Sequence, residues 1–263
     1  MNSSDIVMYQ LRVNRRTGRL AGPPVPVSKQ DCPYRTVDRA KVVLKCMELD
    51  HFQSLCESRA LFFSRASNFQ DGLEGMPSKS GVHGTSFHEK LLRKVYPTID
   101  NYDQLIQQQQ IARTDTFVCC WRMDQSVDPR MWFEYSKSKT NNMVIIASSI
   151  AELLKQTADW VRISPVRYVT ESTPRVQLDS MSLFYFKDKA RYGWERELRL
   201  AFSPARSEDD PLVKVHSHGQ LVQVCPNRLI HRIIPSPQMS AVGLAELKKL
   251  AVMHCPRARF ASR

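Results

Sequence analysis

Two carboxylates and an arginine, Glu195, Glu197 and Arg199, are each separated by one residue. They stand where the polar run Lys187-Asp-Lys-Ala-Arg-Tyr-Gly-Trp-Glu195 gives way to the strand-like Leu198-Arg-Leu-Ala-Phe202. In an extended chain, residues two apart point to the same face. The three charged groups would therefore line one face at the start of a strand, while Leu198 and Leu200 enter the core from the other. Such a face is either a solvated, salt-bridged surface or a polar site. In a closed site, carboxylates stabilise positive charge that develops on a reacting group, or relay protons. Tyr192 and Trp194, just upstream, argue for a concave site with an aromatic wall.

Two further segments hold residues fit for a site. Leu61-Phe-Phe-Ser64-Arg65 reads as a strand that ends at Ser64 and gives way to a polar turn with Asn68, Asp71 and Glu74. Asn and Asp also serve simple turn chemistry, by bonding their own backbone. In Met131-Trp-Phe-Glu-Tyr135, Trp132 and Tyr135 lie three apart and so share a helical face. Core packing accounts for at least one of them.

Other chemistries lack their residues. Only nine glycines occur, and none forms a GxGxxG or a GxxxxGK[ST]. No GxSxG or HExxH occurs. The seven cysteines, Cys32, Cys46, Cys56, Cys119, Cys120, Cys225 and Cys255, form no CxxC and read as free, buried thiols. His216 and His218 have no third ligand at a recognisable spacing, so no metal is expected. A net charge of +12 raises the local concentration of anionic partners, nucleic acid or acidic protein among them. No apolar run approaches the roughly 18 residues that span a bilayer, and Met1 to Tyr9 has no signal-peptide pattern. The expectation is a cytoplasmic protein, or one exported as an effector without a cleaved signal.

The elements that must position these residues follow from periodicity. Residues 1–41 read as a short strand, Ile6 to Val13, and an extended Pro-rich connection over 14–36. Residues 42–263 read as one α+β domain with mixed, largely antiparallel β-sheets and flanking helices. Strands are expected at Val42 to Met47, Ala60 to Phe63, Thr116 to Trp121, Met143 to Ala147, Val161 to Val169, Leu183 to Phe186 and Leu198 to Phe202. Three more follow at Leu212 to Val215, Leu221 to Val224 and Ile230 to Ile234. Asp50 would cap a helix with Phe52, Leu55 and Cys56 on its apolar side. Ser149 and Glu152 would form a capping box, and Ser240 would cap a last helix before Pro256. Met76 to Ser86 reads as a loop, with helices over Phe87 to Val95 and Tyr102 to Ala112.

Taken together, these segments resemble the bacterial family designated domain of unknown function 2971, over about residues 42–240. The family has a basic residue in a first strand, matched by Lys45, then a helix, then a strand running into "fs.p..FNDPFE". Phe63 to Glu74 matches this run; Phe69-Gln-Asp-Gly-Leu-Glu74 keeps the aromatic and both acids but lacks the Asn and Pro. "MW..Y" is matched by Met131, Trp132 and Tyr135. "K....E.E.R" is matched by Glu195, Glu197 and Arg199, with Lys187 or Lys189 as the lysine. "I..I..sP" is matched by Ile230 to Pro237.

The segment Glu195-Arg-Glu197 before a strand also resembles the E-x-E of ADP-ribosyltransferases. That resemblance implies an ADP-ribosyltransferase-like fold and NAD as substrate. Glu197 would hold the nicotinamide ribose and stabilise an oxocarbenium-like transition state, and Glu195 would orient or activate the acceptor. Lys45, Ser64, Arg65 and Arg199 would help to hold NAD, with Trp132 or Tyr135 stacking on nicotinamide. Asn68, Asp71, Glu74 and Lys187 are further candidates for the polar site. The product would be a modified protein or nucleic acid, as made by a toxin or defence effector. Two alternatives stand beside it. One is a metal-dependent nuclease, in which the same carboxylates and Lys187 would gather divalent ions. The other is a non-enzymatic module that binds nucleotides or nucleic acid.

Overall fold

A strand whose residues are apolar on both faces must be covered on both faces. Val42–Glu48 (β3), Phe117–Arg122 (β5) and Met143–Ser149 (β6) are of this kind. In the computed structural model they lie next to one another in a ten-stranded sheet. The structure describes residues 8–10, 25–27, 38–69, 71, 74–76, 102–136, 141–158, 160–170, 172, 173, 175, 181–203, 213–216 and 218–261.

The other strands of the sheet are Ala60–Arg65 (β4), Arg162–Pro165 (β7), Glu197–Phe202 (β10), Val213–His216 (β11), Gly219–Gln223 (β12), Arg232–Pro235 (β13) and Arg259–Phe260 (β14). Their order is β11-β12-β4-β5-β3-β6-β13-β14, with β10 joining β5 and β7 off that path. Every pairing in this sheet is antiparallel except β13 with β14. Helices Leu49–Ser58 (α1), Tyr102–Thr114 (α2), Arg130–Glu134 (α3), Ile150–Gln156 (α4), Lys189–Tyr192 (α5), Pro226–Leu229 (α6) and Ala241–His254 (α7) flank it. The architecture is α+β with a largely antiparallel sheet, as expected from the sequence.

Two smaller pairs stand apart. Met8–Gln10 (β1) pairs with Val25–Val27 (β2), so the Pro-rich connection contains a strand of its own. Arg167–Val169 (β8) pairs in parallel with Phe186–Asp188 (β9).

Most apolar surface is buried on one side of the sheet. There Phe52, Leu55 and Cys56 of α1 and Leu247, Leu250 and Ala251 of α7 pack against Leu61, Phe63, Phe117, Cys119, Trp121, Leu198, Leu200 and Phe202. A second, smaller cluster on the opposite side joins Ala66, Val118, Phe184, Tyr185 and Ala201. Cys119 and Cys120 fall in different clusters, as strand alternation requires.

β5 carries the feature that shapes the site. One edge pairs with β10 along its whole length, Glu197 with Arg122 through Phe202 with Phe117. Its other edge is shared. β4 pairs at Ser64 with Val118 and at Arg65 with Phe117, and β3 pairs only at Leu44 with Arg122. The sheet therefore forks at the middle of β5. In the fork, the Lys45 ammonium donates to the Cys120 carbonyl at 3.0 Å, filling the place of a missing ladder bond.

Some expected elements differ. The strand over Val161 to Val169 breaks at Val166, whose N–H donates to the Glu197 carbonyl at 2.8 Å, and its halves join different sheets. Ser182–Tyr185 is a 3-10 helix and not a strand. Glu48, not Asp50, is the N-cap of α1; Asp50 sits in the first turn, where its charge suits the helix dipole. The strand over Ile230 to Ile234 is shifted to Arg232–Pro235 by the preceding α6. The caps at Ser149 and Ser240 are formed, each hydroxyl accepting from a backbone N–H three residues on. The expected loop beyond Met76 and the helix over Phe87 to Val95 lie outside the described residues.

Candidate functional site

Leu198, Leu200 and Phe202 turn one face of β10 into the main core, so Glu197, Arg199 and Ala201 must face the other way. That face is roofed by Phe184 and Tyr185. The charges of β10 are therefore enclosed, not solvated: Arg199 is 0% and Glu197 3% exposed. Burying such charges is tolerable only if they pair.

They pair closely. Arg199 grips Glu197 with two bonds, Nε to Oε1 at 2.6 Å and Nη2 to Oε2 at 3.0 Å. Its third arm, Nη1, donates to Glu74 Oε1 at 2.7 Å and to the Phe184 carbonyl. Lys187, from β9, donates to Glu197 Oε2 at 3.1 Å and to Glu195 Oε2 at 2.6 Å. Acid and base thus alternate from Glu74 through Arg199, Glu197 and Lys187 to Glu195.

Glu195 and Glu197 converge, but not as residues two apart on a strand. Glu195 ends a 3-10 turn over Gly193–Glu195, and Arg196 adopts a left-handed conformation with φ 47°. Only Glu197 belongs to β10. The kink at Arg196 lets both carboxylates reach Lys187.

The surroundings set the charges. Burial would raise the Glu197 carboxyl, but Arg199 and Lys187 outweigh it and hold it at about 2. Burial would lower Lys187, yet Glu197 and Glu195 raise it well above its ordinary range. Glu195 is raised by burial and by Glu197, against the pull of Lys187. Burial pushes Glu74 up to about 7, with Arg199 and Lys187 only partly offsetting it. The site thus keeps one carboxylate firmly ionised beside another that takes a proton more readily, the division of labour that acid–base chemistry uses.

Aromatic groups stand near the acids. The Tyr135 and Trp194 rings lie 6.0 Å apart, and Arg130 stacks 4.8 Å over Trp194. Burial, then Glu195 and Glu197, raise the Tyr135 phenol. Lys187 lies 4.4 Å over Tyr192. Three neighbours had no signal in the sequence. The Tyr168 hydroxyl accepts the Glu197 N–H at 2.7 Å. The Cys120 thiol bonds the Glu197 carboxylate, and its own pKa is raised by burial and by that carboxylate. The Phe184 carbonyl bonds Arg199.

Among the expected site residues, Glu74, Lys187, Glu195, Glu197 and Arg199 come together. Lys187 supplies the lysine, whereas Lys189 is exposed on α5. Asp71 is buried nearby, and its charge acts on both Glu74 and Tyr192. Lys45 occupies the fork, where the Glu197 charge reaches it. The structure does not bring Ser64, Arg65 and Asn68 to the carboxylates. The strand runs on through Arg65, and Asn68 donates to the Ser64 hydroxyl at 3.1 Å and the His218 carbonyl at 3.2 Å. Arg65 donates to the Thr114 carbonyl at 2.8 Å and lies over Phe117. Trp132 packs, like Trp194, against the cluster of Met131 and Ile145, and lines a cavity of about 420 Å³ with Pro129, Phe133 and Pro237. No group of three His, Cys, Asp or Glu residues arranged to hold a metal ion is found among the described residues. No helix among them is long and apolar enough to cross a membrane.

No family model matches the chain, and no curated protein sequence does. Two solved structures overlap it in part. The DarT of Thermus sp. 2.9 in complex with ADP-ribosylated ssDNA shares 11% identity at a TM-score of 0.39, covering 88% of this chain and 97% of that one. The same DarT in complex with carba-NAD+ gives 11% and 0.39, covering 86% and 97%.

Proposed function

We propose that the chain is an ADP-ribosyltransferase-like enzyme that uses NAD as substrate and transfers ADP-ribose to an anionic macromolecule. The observation that carries this reading is Glu197, a carboxylate kept ionised in an enclosed site at the start of β10, with Glu195 beside it. As the bond from ribose to nicotinamide breaks, nicotinamide leaves neutral and positive charge develops on the sugar. A fixed carboxylate in a closed site stabilises that charge more than water does. Glu195, raised by burial and by Glu197, would take the proton from the acceptor nucleophile as it bonds to the sugar. Tyr135 and Trp194 offer flat surfaces for the nicotinamide ring. Of the residues quoted for domain of unknown function 2971, Glu74, Lys187, Glu195, Glu197 and Arg199 gather here from distant segments, which is in keeping with that resemblance.

An anionic acceptor suits the charge of +12 and the outward arginines Arg130 and Arg196, 57% and 65% exposed. The nuclease reading fits less well. Lys187 and Arg199 already occupy the oxygens that would hold a divalent ion, and both cations would repel one.

Nicotinamide release from NAD, with and without lysate as a source of acceptors, tests the proposal. Glu197→Gln keeps the shape and loses the charge, and should lower release at least about a hundredfold while the fold persists by circular dichroism. Full release by this variant overturns the assignment.

A further inference from the structure

Glu74 stands at the far end of the charge chain, bonded to Arg199 and not to either candidate catalytic acid. It comes from a turn in which its N–H donates to the Asp71 carbonyl at 3.1 Å. The next residue, Gly75, has φ +73° and packs so closely on the Phe184 ring that a side chain there would collide with it. Gly75 N–H also donates to the Leu183 carbonyl at 3.3 Å. This turn is thus docked on the same 3-10 helix whose Phe184 carbonyl holds Arg199. The docking delivers Glu74, 0% exposed, to Arg199 Nη1, with Oε1 bonded and Oε2 buried without a hydrogen-bond partner.

We infer that Glu74 is a positioning residue: it fixes the guanidinium of Arg199 and thereby sets how much negative charge Glu197 presents to a substrate. Arg199 is shared between two carboxylates. When Glu74 is ionised, it takes part of the guanidinium charge and leaves Glu197 less compensated. When Glu74 is protonated, Arg199 serves Glu197 alone. The groups that face Glu74 are Arg199 and Glu197 of β10, Lys187 of β9 and Asp71 of its own turn. Their balance with burial places its titration at about 7, so the division changes across neutral pH. Because the more negative Glu197 is the better partner for a developing cation, activity rises as Glu74 loses its proton.

The inference rests on the transferase reading for its activity readout, so two measurements are needed. The first is the pH profile of nicotinamide release between pH 6 and 8. The wild type should show a rising one-proton limb in kcat. Glu74→Gln should lack that limb and fall about tenfold below the wild type at pH 8, with KM changed less than kcat. Glu74→Asp keeps the charge but is too short for Arg199, and should lower kcat at every pH. A limb that persists in Glu74→Gln, or a Glu74→Asp variant with wild-type kcat, overturns the inference. The second measurement needs no turnover. Infrared titration of the wild type should show a carboxylic-acid band that disappears over the same range while the arginine guanidinium bands shift. Glu74→Gln should show neither change. If the wild type releases no nicotinamide, the transferase reading fails, and the infrared titration alone decides the role of Glu74. Guanidinium bands that stay fixed there overturn it.

Discussion

Among the described residues, Lys187 is the cation that joins the two candidate catalytic acids, at 2.6 Å from Glu195 and 3.1 Å from Glu197. A buried ion pair contributes little net stability, but removing one partner strands the other charge, at about 3–5 kcal/mol. Lys187→Met should therefore destabilise the fold by a few kcal/mol at pH 8. At pH 5 the loss should be smaller, because Glu195, already raised, can take a proton and remove the stranded charge. Urea unfolding midpoints at the two pH values measure this; equal losses would show that Lys187 does not hold the acids. At this scale the sequence was informative about residue type. Three charged residues at alternate positions were readable as one unit, and burial decided between a solvated face and a site. Tyr168 and Cys120 were not readable, because each reaches Glu197 only through pairings that a single segment does not encode.

The element that aims the acids is the break before β10. An L-residue in the left-handed region costs about 1–2 kcal/mol, and Arg196 bears that cost with its side chain largely in solvent. Arg196→Gly should be neutral or stabilising by up to about 1 kcal/mol and keep nicotinamide release. Arg196→Val places a β-branched residue there; it should destabilise by about 2 kcal/mol and lower release by pulling Glu195 from Lys187. Thermal melts of both variants measure the first effect and turnover the second; a Val variant as stable and active as the Gly variant would remove the kink from the mechanism. The apolar pattern located β3, β5 and β6 as buried runs and α1 by its spacing, and the Ser240 cap located α7. It misread the 3-10 helix over Ser182–Tyr185 as part of a strand, because a short run of buried residues looks alike in either. It also missed the division of Val161 to Val169, since which sheet a strand joins depends on its partner, not on its own residues. The fork in β5 is hidden for the same reason.

Across the whole molecule, the enclosed charges give stability a dependence on pH with two opposite limbs. Glu197 and Asp128 are both held at about 2, below their ordinary values of 4.5 and 3.8. Groups lowered on folding stabilise above their unfolded pKa, and that contribution is lost as pH falls through the folded value. The chain should therefore weaken steadily from about pH 4.5 towards 2. Glu74 acts in the other direction. Its carboxyl is raised to about 7 from 4.5, so its contribution is complete below pH 4.5 and is lost as pH rises to 7. For one proton the slope is about 1.4 kcal/mol per pH unit, an upper bound where neighbouring charges adjust. The high net charge of +12 adds self-repulsion that grows as carboxylates are protonated, which steepens the acid limb alone. Urea midpoints from pH 3 to 8 should trace a maximum near pH 5 for the wild type. Glu74→Gln, which stays neutral, should match the acid limb but decline less between pH 5 and 7, so the two curves separate as pH rises. Parallel curves over that range would mean that Glu74 is already ionised in the folded chain at pH 5, and that Arg199 is shared between two carboxylates at every pH the protein tolerates.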